Sequence, residues 1–154
     1  MDLANWSLGL SLLVLTIAIH TTAVVLMAFT LETRIRVRVD KHKHDRLRAI
    51  PAVIGHIGAV ALILAALHAV EGVLWGAAYW WFGALDSLTD ASVYSLATMT
   101  TFDIPGLTLP AQFRVLSALE AVNGALLFGI STAFLFAVIQ VQWVMISHRR
   151  APAE

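Results

Sequence analysis

The chain has 154 residues, of which 59% are hydrophobic and only 13% charged, at a mean hydropathy of +0.80. Soluble domains carry about 25% charged residues, so this composition excludes an ordinary soluble enzyme and indicates an integral, all-α membrane protein. There is no cysteine, hence no disulfide or thiolate chemistry, and the zero net charge hides a lopsided distribution. Seven of the ten basic residues lie between Arg34 and Arg48, and two more are Arg149 and Arg150.

A helix that crosses a bilayer needs about 20 apolar residues. The first such run, Trp6 to Leu31, is broken only by His20 and by Ser and Thr residues. Asp2 precedes it and no basic residue does, so residues 1–33 read as a retained N-terminal transmembrane helix rather than a cleaved signal. Residues 34–49 form a basic cytoplasmic loop. Its Arg-Ile-Arg-Val-Arg-Val run alternates as a strand would, and equally suits a helical extension of the first span with its charges near anionic lipid.

The second span, residues 50–82, carries Trp75, Tyr79, Trp80, Trp81 and Phe82 near its outer end, where an interfacial aromatic belt is expected. Asp86-Ser-Leu-Thr-Asp90 supplies N-cap chemistry for a short helix over 87–100. A semi-polar loop follows, then a third span over 111–146 and a cytoplasmic tail over 147–154. Positive charge faces the cytoplasm, which puts the N-terminus outside, the 34–49 loop inside and the C-terminus inside. Had residues 86–110 crossed the membrane, Arg149 and Arg150 would face out. The charges thus favour a segment that enters and leaves by the same face. Irregular backbone persists at membrane depth only where it faces protein or water, as in a pore loop. On chemistry alone, an amphipathic helix lying in the outer interface stays open.

Tyr94, Ser95, Thr98, Thr100 and Thr101 stand close to the Tyr-x-Ser-x-x-Thr-x-Thr-Thr wording of a potassium-channel pore helix. The stretch from Arg114 to Gln140, with its Glu-Ala-x-Asn-Gly run at 120–124, is similar to an inner helix of the same superfamily. Residues 50–146 therefore resemble the pore domain of a small prokaryotic branch of that superfamily, with an extra N-terminal span. The resemblance implies an outer helix over 50–82, a pore helix over 87–100, a filter over 100–106 and an inner helix over 111–146. It implies a homotetramer around one axis in the cytoplasmic membrane of a prokaryote, with the lipid bilayer and other copies of the chain as partners, and no nucleic acid.

The filter departs from the pattern. Phe102-Asp103-Ile104-Pro105-Gly106 stands where the superfamily has Val-Gly-Tyr-Gly-Asp. Those glycines let every carbonyl turn to the axis, whereas Pro105 fixes its own φ and pushes Ile104 to an extended conformation. The expected pathway residues are Thr100, Thr101, Phe102, Asp103 and Ile104. Asp103 either adds a ring of four carboxylates or turns behind the loop toward backbone amides or the Tyr94 of a neighbouring copy. The resulting expectation is cation conduction with weak discrimination between K+ and Na+ and with Ca2+ binding at the filter. A non-conducting, channel-like or modifying subunit is the alternative.

Polar residues inside spans are costly and mark function or pairing. His68 and Glu71 form one i, i+3 pair and Glu120 and Asn123 another, which together read either as a polar cluster clamping the helices behind the loop or as direct ion ligands. Gly124 and Gly129 allow either a hinge or close packing. Ser131 and Thr132 are candidates to line a cavity, and Phe134, Phe136 or Val138 to form a constriction. His20, His56 and His68 raise a haem-b electron carrier. Counted from Arg34 and Arg48 they lie about 21, 12 and 30 Å deep, so no two share a level. No enzyme motif is present, neither a nucleophile elbow, nor His-Glu-x-x-His, nor a phosphate-cradling glycine loop.

Overall fold

The computed structural model describes residues 3–41 and 46–147, with side chains described over 3–30 and 50–143. The elements are α1 (Leu3–Lys41), α2 (Arg46–Trp81), α3 (Leu88–Met99) and α4 (Arg114–Ser147), the last entered through a 3-10 turn at Ala111–Phe113. No strand occurs among the described residues. Among the described residues three stretches are long and apolar enough to cross a membrane: Leu3–Thr30, Ile50–Trp81 and Ala111–Trp143. The Arg-Ile-Arg-Val-Arg-Val run is helical, because α1 continues through it to Lys41. Residues 42–45 of the basic segment and 148–154 of the tail lie outside the described residues.

Each boundary around the short helix has a local cause. α2 stops at a pair of reversed hydrogen bonds, Ala84 N to Tyr79 O at 2.8 Å and Gly83 N to Trp80 O at 3.1 Å, with Gly83 at φ +70°. Glycine suits that left-handed position because it has no Cβ to clash. Ser87 then caps α3 by accepting from the Asp90 amide, and Asp90 adds negative charge to the first turn.

α3 runs back along α2 and ends against α4, and two glycines make room for it. A Cβ on Gly76 would stand 2.7 Å from Ser92 Cα and 2.8 Å from its nitrogen. A Cβ on Gly124 would strike the Met99 carbonyl oxygen and come within 2.7 Å of Met99 Cα. Gly124 lies ten residues into α4, and Gly72, which faces Leu96 and Met99, lies nine residues before the end of α2. Both counts put the end of α3 about 14–15 Å inside the ends of the long helices.

Two apolar clusters bracket the bundle. Trp75, Tyr79, Ala84, Ala91, Phe113 and Leu116 form one around α3; Val60, Leu64 and Val138 form the other near the opposite end. Trp75 and Tyr79 are fully buried, which removes them from the expected aromatic belt. They lie on the α2 face that α3 and α4 cover, whereas Trp80, Trp81 and Phe82 remain outward.

Gly124→Ala should destabilise the fold by about 1–3 kcal/mol, because the new methyl meets rigid backbone rather than a movable side chain. Gly129, with nothing within 4 Å of an added Cβ, is the control; Gly129→Ala should be neutral or stabilising by up to about 1 kcal/mol. Thermal unfolding of both variants in one detergent checks this, and equal midpoints would refute the packing role of Gly124.

Candidate functional site

The loop after α3 begins with strain. Phe102 N bonds Ala97 O at 2.8 Å and Thr101 N bonds Thr98 O at 2.9 Å, the same reversed pair that ends α2. Here the left-handed position is held by Thr101, at φ +58°, where a β-branched residue is a real outlier. Such strain persists only where surrounding structure imposes it, and it concentrates at functional segments. The Thr100 hydroxyl donates back into its own helix, to Ala97 O at 2.9 Å and Leu96 O at 3.1 Å.

Pro105 and Gly106 then make a tight turn. Leu107 N bonds Ile104 O at 3.1 Å and Gly106 sits at φ +85°, the arrangement of a type II turn with proline first and glycine second. Thr101, Phe102, Asp103, Pro105 and Gly106 are all exposed on the chain, Phe102 at 67%. Within the chain the Tyr94 hydroxyl shares a 2.9 Å hydrogen bond with Ser117.

Behind the loop the expected polar cluster divides into separate layers. Glu120 accepts from Tyr79 of α2 at 2.7 Å and from Ser95 of α3 in a very short bond, with all three residues fully buried. Asn123 does not join Glu120; its amide donates to Thr16 of α1 at 2.9 Å. One turn deeper, His20 Nδ1 lies 2.9 Å and 3.3 Å from the two Glu71 oxygens, and Ser131 Oγ lies 3.0 Å from His20 Nε2 and 3.1 Å from His68 Nε2. His68 Nδ1 is 3.4 Å from Glu71 Oε2 but outside hydrogen-bond geometry, so it has no hydrogen-bond partner. The i, i+3 spacing brought His68 and Glu71 together, while the tighter partner of Glu71 is on α1.

One sequence expectation changes here. His20 and His68 share a level, with ring centroids 5.0 Å apart. Counting depth from Arg34 and Arg48 assumed that both charges mark one boundary, and the actual packing shifts α1 against α2 by about 9 Å from that register. The rings face each other too closely for a porphyrin plane between them, and His68 is covered on its other side by Phe128, stacked at 4.2 Å. Ser131 and Val138 are buried inside the chain, whereas Thr132 and Phe136 are exposed. Gly124 is a packing notch for Met99, whereas the neighbourhood of Gly129 is open.

Thr16, His20, Tyr79, Ser95 and Ser131 belong to the polar layers and are absent from the cluster expected from sequence. The signal was available as spacing: Thr16 and His20 are four apart, as are Glu120 and Gly124, and Asn123 and Ser131 are eight apart, so each set falls on one helical stripe.

Tyr79→Phe and Ser95→Ala should each destabilise the protein by about 1–3 kcal/mol, since each removes a donor from a fully buried carboxylate. The double variant should show coupling of about 0.5–3 kcal/mol in a double-mutant cycle measured by unfolding, because the two hydroxyls share one acceptor. Strict additivity would show that the layer is not a unit. Compared with protein families, with curated proteins and with solved structures, the chain finds no match.

Proposed function

We propose that the protein is the subunit of a tetrameric cation channel built on the plan of the potassium-channel superfamily, passive and weakly selective, with its N-terminus outside and its C-terminus cytoplasmic. The observation that carries this reading is the return of the chain at α3. A 12-residue helix packs about 14–15 Å down between α2 and α4, and the chain comes back through exposed, irregular backbone. A hydrocarbon core is about 30 Å thick, so a segment entering from the outer face would end near the midplane. Irregular backbone there needs protein or water around it, and copies of the chain about an axis supply both.

Charge supports a cation. The C-terminal, negative pole of α3 points to the loop, and Asp103 is exposed beside it. The turn at Pro105 and Gly106 uses the Ile104 carbonyl internally, which interrupts any continuous carbonyl row and favours poor discrimination between K+ and Na+. An oxygen ring of Asp103 suits Ca2+ as a binder or blocker. The same turn, together with the inward-bonded Thr100 hydroxyl, is what favours the second reading, a non-conducting relative or modifying subunit.

Purified protein in liposomes should pass K+ and Na+ with a permeability ratio near unity, and crosslinking should stop at four chains. Absence of flux for both ions would select the non-conducting reading, a strong K+ preference would refute the loop reading, and crosslinking that stopped at two would end the tetrameric one.

Asp103→Asn should lower cation flux about tenfold at low ionic strength, with the difference shrinking as salt is added and Ca2+ block weakening. Unchanged flux and block in that variant would place Asp103 off the axis.

A further inference from the structure

We propose that His20, His68 and Glu71 form a binding site for one first-row divalent metal ion of the zinc class, set between α1 and α2 within the membrane-spanning bundle. The argument rests on the buried histidine layer and is independent of the channel reading.

The layer is short of one cation. Four contacts join four groups: the Nδ1 of each histidine meets Glu71, and the Nε2 of each meets Ser131 Oγ. Each contact needs a hydrogen, yet a carboxylate, two imidazoles with one N–H each and one hydroxyl together bring three. That leaves the fourth contact to a proton or to a metal ion, and its geometry outside hydrogen bonding favours the metal. One contact is left with lone pair facing lone pair. It falls between His68 Nδ1 and Glu71 Oε2, where the nitrogen is buried and without a hydrogen-bond partner.

A metal ion between the carboxylate and the two Nδ1 atoms removes the conflict. Both imidazoles then carry their hydrogen on Nε2 and donate to the two lone pairs of Ser131, the outer arrangement that orients ligating histidines. The spacing agrees. Ligands about 2.0–2.1 Å from a tetrahedral metal stand about 3.3–3.4 Å apart. His20 Nδ1 and His68 Nδ1 lie 3.3 Å and 3.4 Å from Glu71 Oε2, and one donor atom from each residue lies within 4.8 Å of the others. A separation of 3.4 Å is long for a hydrogen bond and right for two ligands sharing a metal.

Two imidazoles and one carboxylate favour Zn2+ and its transition-metal neighbours over Ca2+ or Mg2+, and three protein donors leave a fourth position for water or hydroxide. His20 comes from α1, His68 and Glu71 from α2, and Ser131 from α4. An ion there would clamp the N-terminal helix to the other two.

The test uses the full chain with a non-histidine affinity tag in lipid nanodiscs, stripped with chelator and titrated with Zn2+ and Co2+. The chain has six histidines, so the titration is done in a His42→Gln, His44→Gln, His148→Gln background. We expect one Zn2+ per chain, a visible Co2+ ligand-field band, and a rise in unfolding midpoint of several degrees with excess Zn2+. His68→Gln and Glu71→Gln should weaken binding at least tenfold, and Ser131→Ala by about 10–100-fold with stoichiometry kept. His56→Gln and Asp103→Asn should leave binding unchanged, which separates this site from an acidic ring in the loop. A cooperatively folded background protein that takes up no stoichiometric metal overturns the proposal, as does binding unaltered in His68→Gln and Glu71→Gln. If those two variants fail to fold, stoichiometry and the Co2+ band of the unsubstituted site decide.

Discussion

Glu120 is the junction on which the upper half of the bundle depends. It is fully buried and takes one hydrogen bond from Tyr79 on α2 and one from Ser95 on α3, while itself belonging to α4. A carboxylate away from water costs far more than two apolar contacts return unless its lone pairs are occupied. The three helices must therefore keep the positions that bring those hydroxyls to it. Glycines 76 and 124 do the complementary steric work, since they let the α3 backbone approach closely enough for Ser95 to reach. Electrostatic demand and backbone clearance thus specify the same placement of one short helix.

α1 is joined to this unit by apolar packing of Leu8, Leu12, Leu13, Val24 and Met27 and by a run of polar contacts. Asn5 donates to the Gln112 carbonyl at 2.8 Å near one end, Thr16 accepts from Asn123 in the middle, and His20 meets Glu71 and Ser131 deeper still. In lipid, apolar surfaces gain little from one another compared with lipid tails, so packing and interhelical hydrogen bonds carry association. A polar ladder down one face of α1 suits that medium.

The loop after α3 combines a strained Thr101 with an ordinary Pro-Gly turn four residues later. Strain next to a relaxed turn indicates that the start of the loop is constrained by the helix it terminates, while its tip is shaped by local sequence. Asp103 lies between the two, exposed, with the negative pole of α3 behind it.

Much of this was legible in the residues. The break at Gly83 and the turn at 104–107 come from the structure, whereas the three spans follow from apolar length and the short helix from the N-cap chemistry at 86–90. These depend on neighbours within a few positions, which a linear string records directly. Pairings between helices do not. Spacing found that His68 and Glu71 share a face, but the register of α1 against α2 decides that His20 is the nearer partner, and the charges at Arg34 and Arg48 misplace that register by about 9 Å. Trp75 and Tyr79 looked interfacial by composition and are buried because α3 folds back over them. Burial of an aromatic in a membrane protein is set by which helix covers it, and that is a property of the packed bundle alone.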